Sequence, residues 1–183
     1  MKISSSGKKV TRRACAGAFV FFLVACAGPP PHAPDAPAGV SNAPLAPPLT
    51  FAFDSLDDRP VSSDSTRGKP TVIAFVTTGS IVAQAQVDFL VAMAKNDGDK
   101  VNYAVVALES RENRELVELY RKALSISFPV AVADAETLAG AGVFHDVSVV
   151  PVTVLLDRSG RVAWRADGRV ARSEEIRVAM RGL

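Results

Sequence analysis

Two largely apolar runs, Thr71 to Thr77 (TVIAFVT) and Val101 to Leu108 (VNYAVVAL), flank a helical pattern from Val82 to Lys95. A strand that is apolar on both sides of its pleat has no face left for water, so other elements must cover both. Two such strands joined by a helix pair in parallel through a right-handed crossover. This pattern argues against an all-helical bundle and against a sheet with one wetted face.

The remaining elements are consistent with that start. In the first helix Val82, Val87, Leu90, Val91 and Ala94 fall near helical spacing, and Asn96-Asp97-Gly98 ends it. Gln84 and Gln86 are expected on its surface. Asn113 to Ala123 forms a second helix with Leu116, Leu119 and Tyr120 on one face, Val117 beside it, and Glu118–Lys122 at i,i+4 spacing. Phe128 to Ala133 is a short strand, and Glu136 to Gly140 is one helical turn. Pro151 to Leu156 and Arg161 to Arg165 form a hairpin across Asp157-Arg158-Ser159-Gly160. Trp164 is expected to pack on that hairpin, and Ser173 to cap a last helix. Leu49 to Phe53 and Pro60-Val61-Ser62 make a small hairpin ahead of the main body. The expected fold class is α/β: a mixed sheet flanked by helices, with an N-terminal β-hairpin.

Charge and cysteine usage divide the chain differently. Residues 1–25 carry Lys2, Lys8, Lys9, Arg12 and Arg13 and no acid, leaving 16 basic against 19 acidic residues, a net of −3, in the rest. A domain of that charge without a basic stripe gives no reason to expect nucleic acid as a partner. Both cysteines, Cys15 and Cys26, precede residue 27. Disulfides, cysteine metal sites and cysteine nucleophiles are thereby excluded from everything that follows.

The basic start leads into an apolar run of eleven residues, Ala14 to Val24. A membrane-crossing helix takes about 20, so the run has the length of a secretory h-region. It ends in Leu23-Val24-Ala25-Cys26, which resembles the lipobox of bacterial lipoproteins. That resemblance implies cleavage after residue 25 and a diacylglycerol on Cys26, with an ordinary secretory signal as the alternative. Ala27, rather than an acid, follows the cysteine, which implies outer-membrane anchoring facing the periplasm. Residues 26–48 then form a tether, with eight of the chain's 12 prolines and no hydrophobic period. At about 3.1 Å per residue it reaches roughly 70 Å. The folded domain is expected over residues 49–183.

Within that domain KPTVIAFVTTGSIVAQAQVDFL is similar to the strand and helix of the TlpA-like thioredoxins that carry Trp-Cys-x-x-Cys. VSVVPVTVLLDRSGRV resembles their Gly-Val-Pro-Thr-Thr segment. The resemblance implies a thioredoxin-like mixed sheet, with Pro151 as the family's cis-proline and Val150 before it. It sets Thr78 at the family's Thr, Gly79 at its second Trp, Ser80 at the first Cys and Ala83 at the second. Disulfide exchange needs a thiolate and a resolving thiol, and a serine and an alanine supply neither. Thr77-Thr78-Gly79-Ser80 also echoes the Thr-x-x-Cys of peroxiredoxins, again with serine at the reactive position. Sco-type copper chaperones need two Cys and a His; only His145 could correspond, and one ligand is not a metal site.

Ser80 as a nucleophile would need a base and an oxyanion hole; its expected role is a helix N-cap. His145 is expected to be a partly exposed residue at a helix end. The expected function is binding, without a cofactor, of an extended peptide or an envelope protein by Thr78, Gly79, Ser80, Val150 and Pro151. The alternative is the thiol-disulfide oxidoreductase or peroxidase activity that the resemblance implies. Mass spectrometry of membrane-extracted protein is expected to show an acylated amino-terminal Cys26. A water-soluble product with a free Cys26 thiol would contradict this.

Overall fold

The computed structural model describes residues 46–183; the leader, Cys26 and most of the tether lie outside the described residues. The strands are β1 (Ala52–Ser55), β2 (Val61–Ser62), β3 (Thr71–Val76), β4 (Asn102–Ala107), β5 (Val130–Val132), β6 (Val152–Leu156) and β7 (Val162–Asp167). The helices are α1 (Ser63–Thr66), α2 (Ile81–Asp97), α3 (Arg114–Ala123), α4 (Ala135–Leu138) and α5 (Ser173–Met180). The strands form one mixed sheet in the order β2-β1-β5-β4-β3-β6-β7. β3, β4 and β5 run parallel, and β6 and β7 continue the sheet antiparallel, as does the β1–β2 hairpin beyond β5. Both strands read as buried are central neighbours, and all six residues of β3 are buried.

The pleat of β3 feeds two cores. Val72, Ala74 and Val76 face the side where α2, α3 and α5 deliver Leu90, Val117 and Ile176. Ile73 and Phe75 face the other, where Phe144 and Val147 from the segment after α4 meet Phe51 and Phe53. Phe75 and Phe144 have ring centroids 4.9 Å apart, and Phe51 meets the Phe144 ring edge-on at 5.0 Å. Such tilted pairs are worth about 0.5–1.5 kcal/mol beyond the area they bury.

Several expected faces turn out rotated. On α2 the buried positions are Ala83, Gln86, Val87, Leu90, Val91 and Met93, whereas Val82 is 48% exposed. The stripe thus starts one residue later than expected, because its second member is a glutamine. Gln86 is fully buried: its Oε1 accepts from the Ala171 N–H at 2.6 Å and its Nε2 donates to the Ala171 carbonyl at 3.4 Å. The side-chain amide therefore substitutes for a strand partner at the entrance to α5. Gln84 is exposed as expected.

On α3, Val117 is the buried residue and Tyr120 packs behind it, while Leu116 and Leu119 are 46% and 63% exposed. Polar anchors at the helix start fix that rotation. Arg114 donates to the Ser55 carbonyl at 2.6 Å and pairs with Asp54 at 3.2 Å, tying the first turn to β1. The Glu118–Lys122 pair forms at 3.4 Å, and Arg121 bonds Glu118 more closely, at 2.6 Å. That hydrogen bond holds the Glu118 carboxyl down at about 2.

At α5 the N-cap is Arg172, without a side-chain cap, and Ser173 is the first helical residue; Glu174 and Glu175 occupy the first turn. β1 begins three residues later than the expected Leu49, because Leu49 is bonded to Gly160 instead. The β6–β7 turn forms as read, with Gly160 at φ 84 and Asp157 accepting from the Ser159 and Arg161 N–H groups. Trp164 lies on β7, half-buried against the α2 side. No helix among the described residues is long and apolar enough to cross a membrane.

Two buried polar side chains have opposite expected behaviour. Gln86→Leu leaves both Ala171 backbone groups unpaired and is expected to cost about 1–3 kcal/mol. The Tyr120 hydroxyl has no hydrogen-bond partner, and burial, with Asp88 adding, pushes it up to about 12. Tyr120→Phe is expected to be neutral or stabilising, by up to about 1 kcal/mol. Urea denaturation of the two variants measures both.

Candidate functional site

β3 gives way at Val76 to a four-residue connection, Thr77 to Ser80, before α2 begins. The Ser80 N–H closes the turn onto the Thr77 carbonyl at 3.3 Å. Ser80 has extended backbone (φ −94, ψ 115), and its Oγ accepts from the Ala83 N–H at 3.2 Å. The expected N-cap is therefore present: the hydroxyl satisfies one of the four N–H groups that a helix start leaves without a partner. Ala83, the residue it holds, is fully buried. Gly79 is exposed, and a Cβ there would meet nothing within 4 Å. Space for a large side chain exists at this position and is empty of one.

Thr78 is held from the neighbouring strand. Glu109, just past β4, accepts from the Thr78 N–H at 3.0 Å and from its Oγ at 2.6 Å. The Asn113 side chain reaches the other Glu109 oxygen at 3.4 Å. Sequence reading missed Glu109, since a single acid after a buried strand resembles any solvated turn residue. Its one signal is position: parallel strands β3 and β4 end level, with Val76 opposite Ala107.

The other half of the site comes from the start of β6. The Val150–Pro151 peptide bond is cis, as the family resemblance implied. β3 and β6 pair antiparallel with Phe75 opposite Val152, so the register continued by two residues brings Val150 beside Thr77. Gly168 donates to the Pro151 carbonyl at 2.9 Å and packs under the Val149 side chain. Neither the N–H nor the carbonyl of Val150 is bonded among the described residues. Thr78, Gly79, Ser80, Val150 and Pro151 thus converge at one end of the sheet. Ile81, Val82 and Val149 around them are 83%, 48% and 63% exposed.

His145 does not join them. It is exposed on the loop after α4, with φ 58 and its N–H on the Gly142 carbonyl at 2.8 Å, and no hydrogen bond links it to Ser80. The expected helix-end placement is corrected to a loop. Nucleophilic chemistry at Ser80 thus has no base bonded to it. Among the described residues no group of three or more His, Cys, Asp or Glu is placed to hold a metal ion. Depressions of about 570, 520 and 400 Å³ lie elsewhere and contain neither Ser80 nor Pro151.

The order of strands, the helix rising from β3 and the cis-proline opposite it define a thioredoxin fold. Solved structures similar to it include thiol-disulfide oxidoreductases of the kind the sequence resembles. A DsbF homologue from Corynebacterium diphtheriae is 20% identical, with 81% of this chain and 96% of that one covered and a TM-score of 0.65. A thiol:disulfide interchange protein of the thioredoxin family from Chlorobium tepidum is 22% identical (76% and 96% covered, TM-score 0.62). A thio-disulfide isomerase from Thermus thermophilus is 28% identical (75% and 94% covered, TM-score 0.59). No protein-family model matches the chain, and no curated protein does.

Ser80→Ala removes the cap and is expected to destabilise the domain by about 1 kcal/mol, whereas Ser80→Asp restores the acceptor and the stability. Thermal unfolding of the two variants checks this.

Proposed function

We propose that the chain is an envelope lipoprotein, anchored through Cys26 in the outer membrane, whose thioredoxin-like domain binds an extended polypeptide and does not exchange thiols. The observation that carries this reading is the state of Ser80 and Ala83: one hydroxyl is engaged in capping α2, and the other side chain is a buried methyl. Neither position can hold or pass a disulfide. What persists beside them is a strand start with an unbonded N–H and carbonyl at Val150. Exposed apolar side chains at Ile81, Val82 and Val149 flank it. Strand addition needs those two ingredients, main-chain groups for affinity and apolar contacts for alternate side chains. None of the depressions of about 570, 520 and 400 Å³ is lined by Ser80 or Pro151, and an extended chain needs no enclosed cavity to add to a strand. The names of the similar solved structures favour the second reading, a thiol-disulfide oxidoreductase, but that activity would draw its thiols from a partner, since residues 27–183 contain none.

Two measurements test this reading. The chain is expected to reduce insulin no faster than a buffer blank, while Ser80→Cys with Ala83→Cys gains a disulfide. Residues i and i+3 at a helix start sit about 5–6 Å apart, within disulfide range. A pair at Gly79 and Val82 that closes equally well would overturn the assignment of these positions. Amide exchange at Val150 is expected to slow on adding an unfolded, carboxymethylated polypeptide. Unchanged exchange at saturating polypeptide would overturn the binding role.

A further inference from the structure

The lysines of this domain are gathered at one end of the strand axis, with Asp58, Asp97 and Asp99 among them. All four lysines of the described residues lie toward the end where β3 and β4 begin. Lys69 and Lys100 precede those strands, and Lys95 and Lys122 sit in the last turns of α2 and α3. Arg67 and Arg158 join them, and Lys69, Lys100 and Arg158 line a depression of about 350 Å³. None of Arg67, Lys69, Lys100 and Arg158 has an acidic partner among the described residues. Asp99 also lines the depression, and nearby Asp157 is occupied by the Ser159 and Arg161 N–H groups of its own turn. At the other end Glu109, Glu112, Glu115, Glu174 and Glu175 alternate with Arg111, Arg114, Arg169 and Arg172 around the starts of α3 and α5, and none of the four lysines is present there. The gathering is not a by-product of a basic domain, because residues 46–183 hold 18 acids (all but Asp35) against 16 bases (all but the five of the leader).

A second observation concerns where the preceding chain arrives. The Leu49 N–H donates to the Gly160 carbonyl and Arg161 Nε donates to the Ala46 carbonyl, each at 2.9 Å. The Gly68 N–H donates to the Arg158 carbonyl at 2.8 Å. Residues 46–49 therefore join the domain at the β6–β7 turn, beside the unpaired cations. The start of β6, with Val150 and Pro151, lies a strand's length away, about 17 Å.

We infer that the end formed by Arg67, Lys69, Lys100 and Arg158 docks on an anionic membrane surface, which turns the Ser80–Pro151 end away from the lipid. The inference rests on the lipid anchor at Cys26 only for bringing the domain near the membrane; the attraction belongs to the domain itself. Surface charges act within a Debye length, about 8 Å at physiological salt, so the unpaired cations gain attraction only when this end itself meets the lipid, and the chain entering beside them leaves that contact unobstructed. Each basic residue near an anionic surface strengthens binding about fivefold. The other end, where arginines and glutamates alternate around the starts of α3 and α5, offers no comparable run of unpaired lysines.

The test uses the chain recovered from membranes and placed on vesicles of phosphatidylcholine, with or without phosphatidylglycerol. Fluorophores go on Asn96→Cys, at the basic end, or Ala135→Cys, at the other; both sites are exposed. Headgroup-nitroxide quenching is expected to be strong at position 96 and weak at 135, only with phosphatidylglycerol and only at low salt. Lys69→Glu with Lys100→Glu and Arg158→Glu is expected to abolish the difference, while Arg111→Glu with Arg172→Glu leaves it. Equal quenching at both positions on phosphatidylglycerol vesicles, or no effect of the triple variant, would overturn the inference. A chain that washes off phosphatidylcholine vesicles would instead count against the anchor. The basic end is then read from flotation with phosphatidylglycerol vesicles, where the triple variant is expected to bind about a hundredfold more weakly; equal binding would overturn it.

Discussion

β3 gives up water contact along all six of its residues, and that constraint propagates through the rest of the domain. A strand buried on both faces and along both edges needs partners on four sides. β4 and β6 take the edges, one parallel and one antiparallel. The two faces then need separate cores, and each is supplied by chain from both sides of β3 in sequence. Because β3 is sealed along its length, its polar business is confined to its ends. At its C-terminal end the backbone must turn from strand to helix, and it does so through Ser80.

That confinement explains how a thioredoxin-like geometry stands with serine and alanine at positions 80 and 83. Ser80 is held by the needs of the α2 N-terminus, Thr78 by Glu109 and the start of β6 by pairing with β3. None of these restraints involves sulfur. A cysteine pair could be absent from such a frame at little structural cost, because serine caps a helix well and a small residue fits the buried position after it. What remains is an end rimmed by exposed Ile81, Val82 and Val149, with open main-chain groups at Val150.

The elements were legible where a pattern had one cause. The central strands, the late hairpin and the order of helices followed from unbroken apolar runs and from turn residues with a positive-φ demand, such as Gly160. Helix rotation was less legible. α2 carries apolar residues on nearly every side, so periodicity could not tell Val82 from Ala83, and the one polar member of the buried stripe looked like a surface residue. Gln86 is buried because Ala171 needs a hydrogen-bond partner 85 residues away, which no local pattern records. On α3 two overlapping stripes competed, and Arg114 decided between them through contacts with β1. The Ser80 cap was readable because it is local; Glu109, whose role depends on two strands ending level, was not.

The exposed Leu116 and Leu119 follow from the same competition. Turning Val117 inward leaves both leucines outside, and Leu119 lines a depression of about 400 Å³ with Leu56, Arg114, Glu118 and Lys122. Solvated leucines framed by ion pairs cost little, since scattered apolar residues are ordinary on protein surfaces. Burying them instead would have turned Val117 outward and broken the anchorage of Arg114 to β1. The polar contacts at the helix start thus outweighed the larger side chains in setting the rotation. The same ordering holds at α2, where a cap and a glutamine, not the bulkiest residues, decide which way the helix faces. In this domain apolar burial sets which elements form and where the layers lie. A few hydrogen bonds at element ends set how each helix is turned, and with that which side chains reach the Ser80 end.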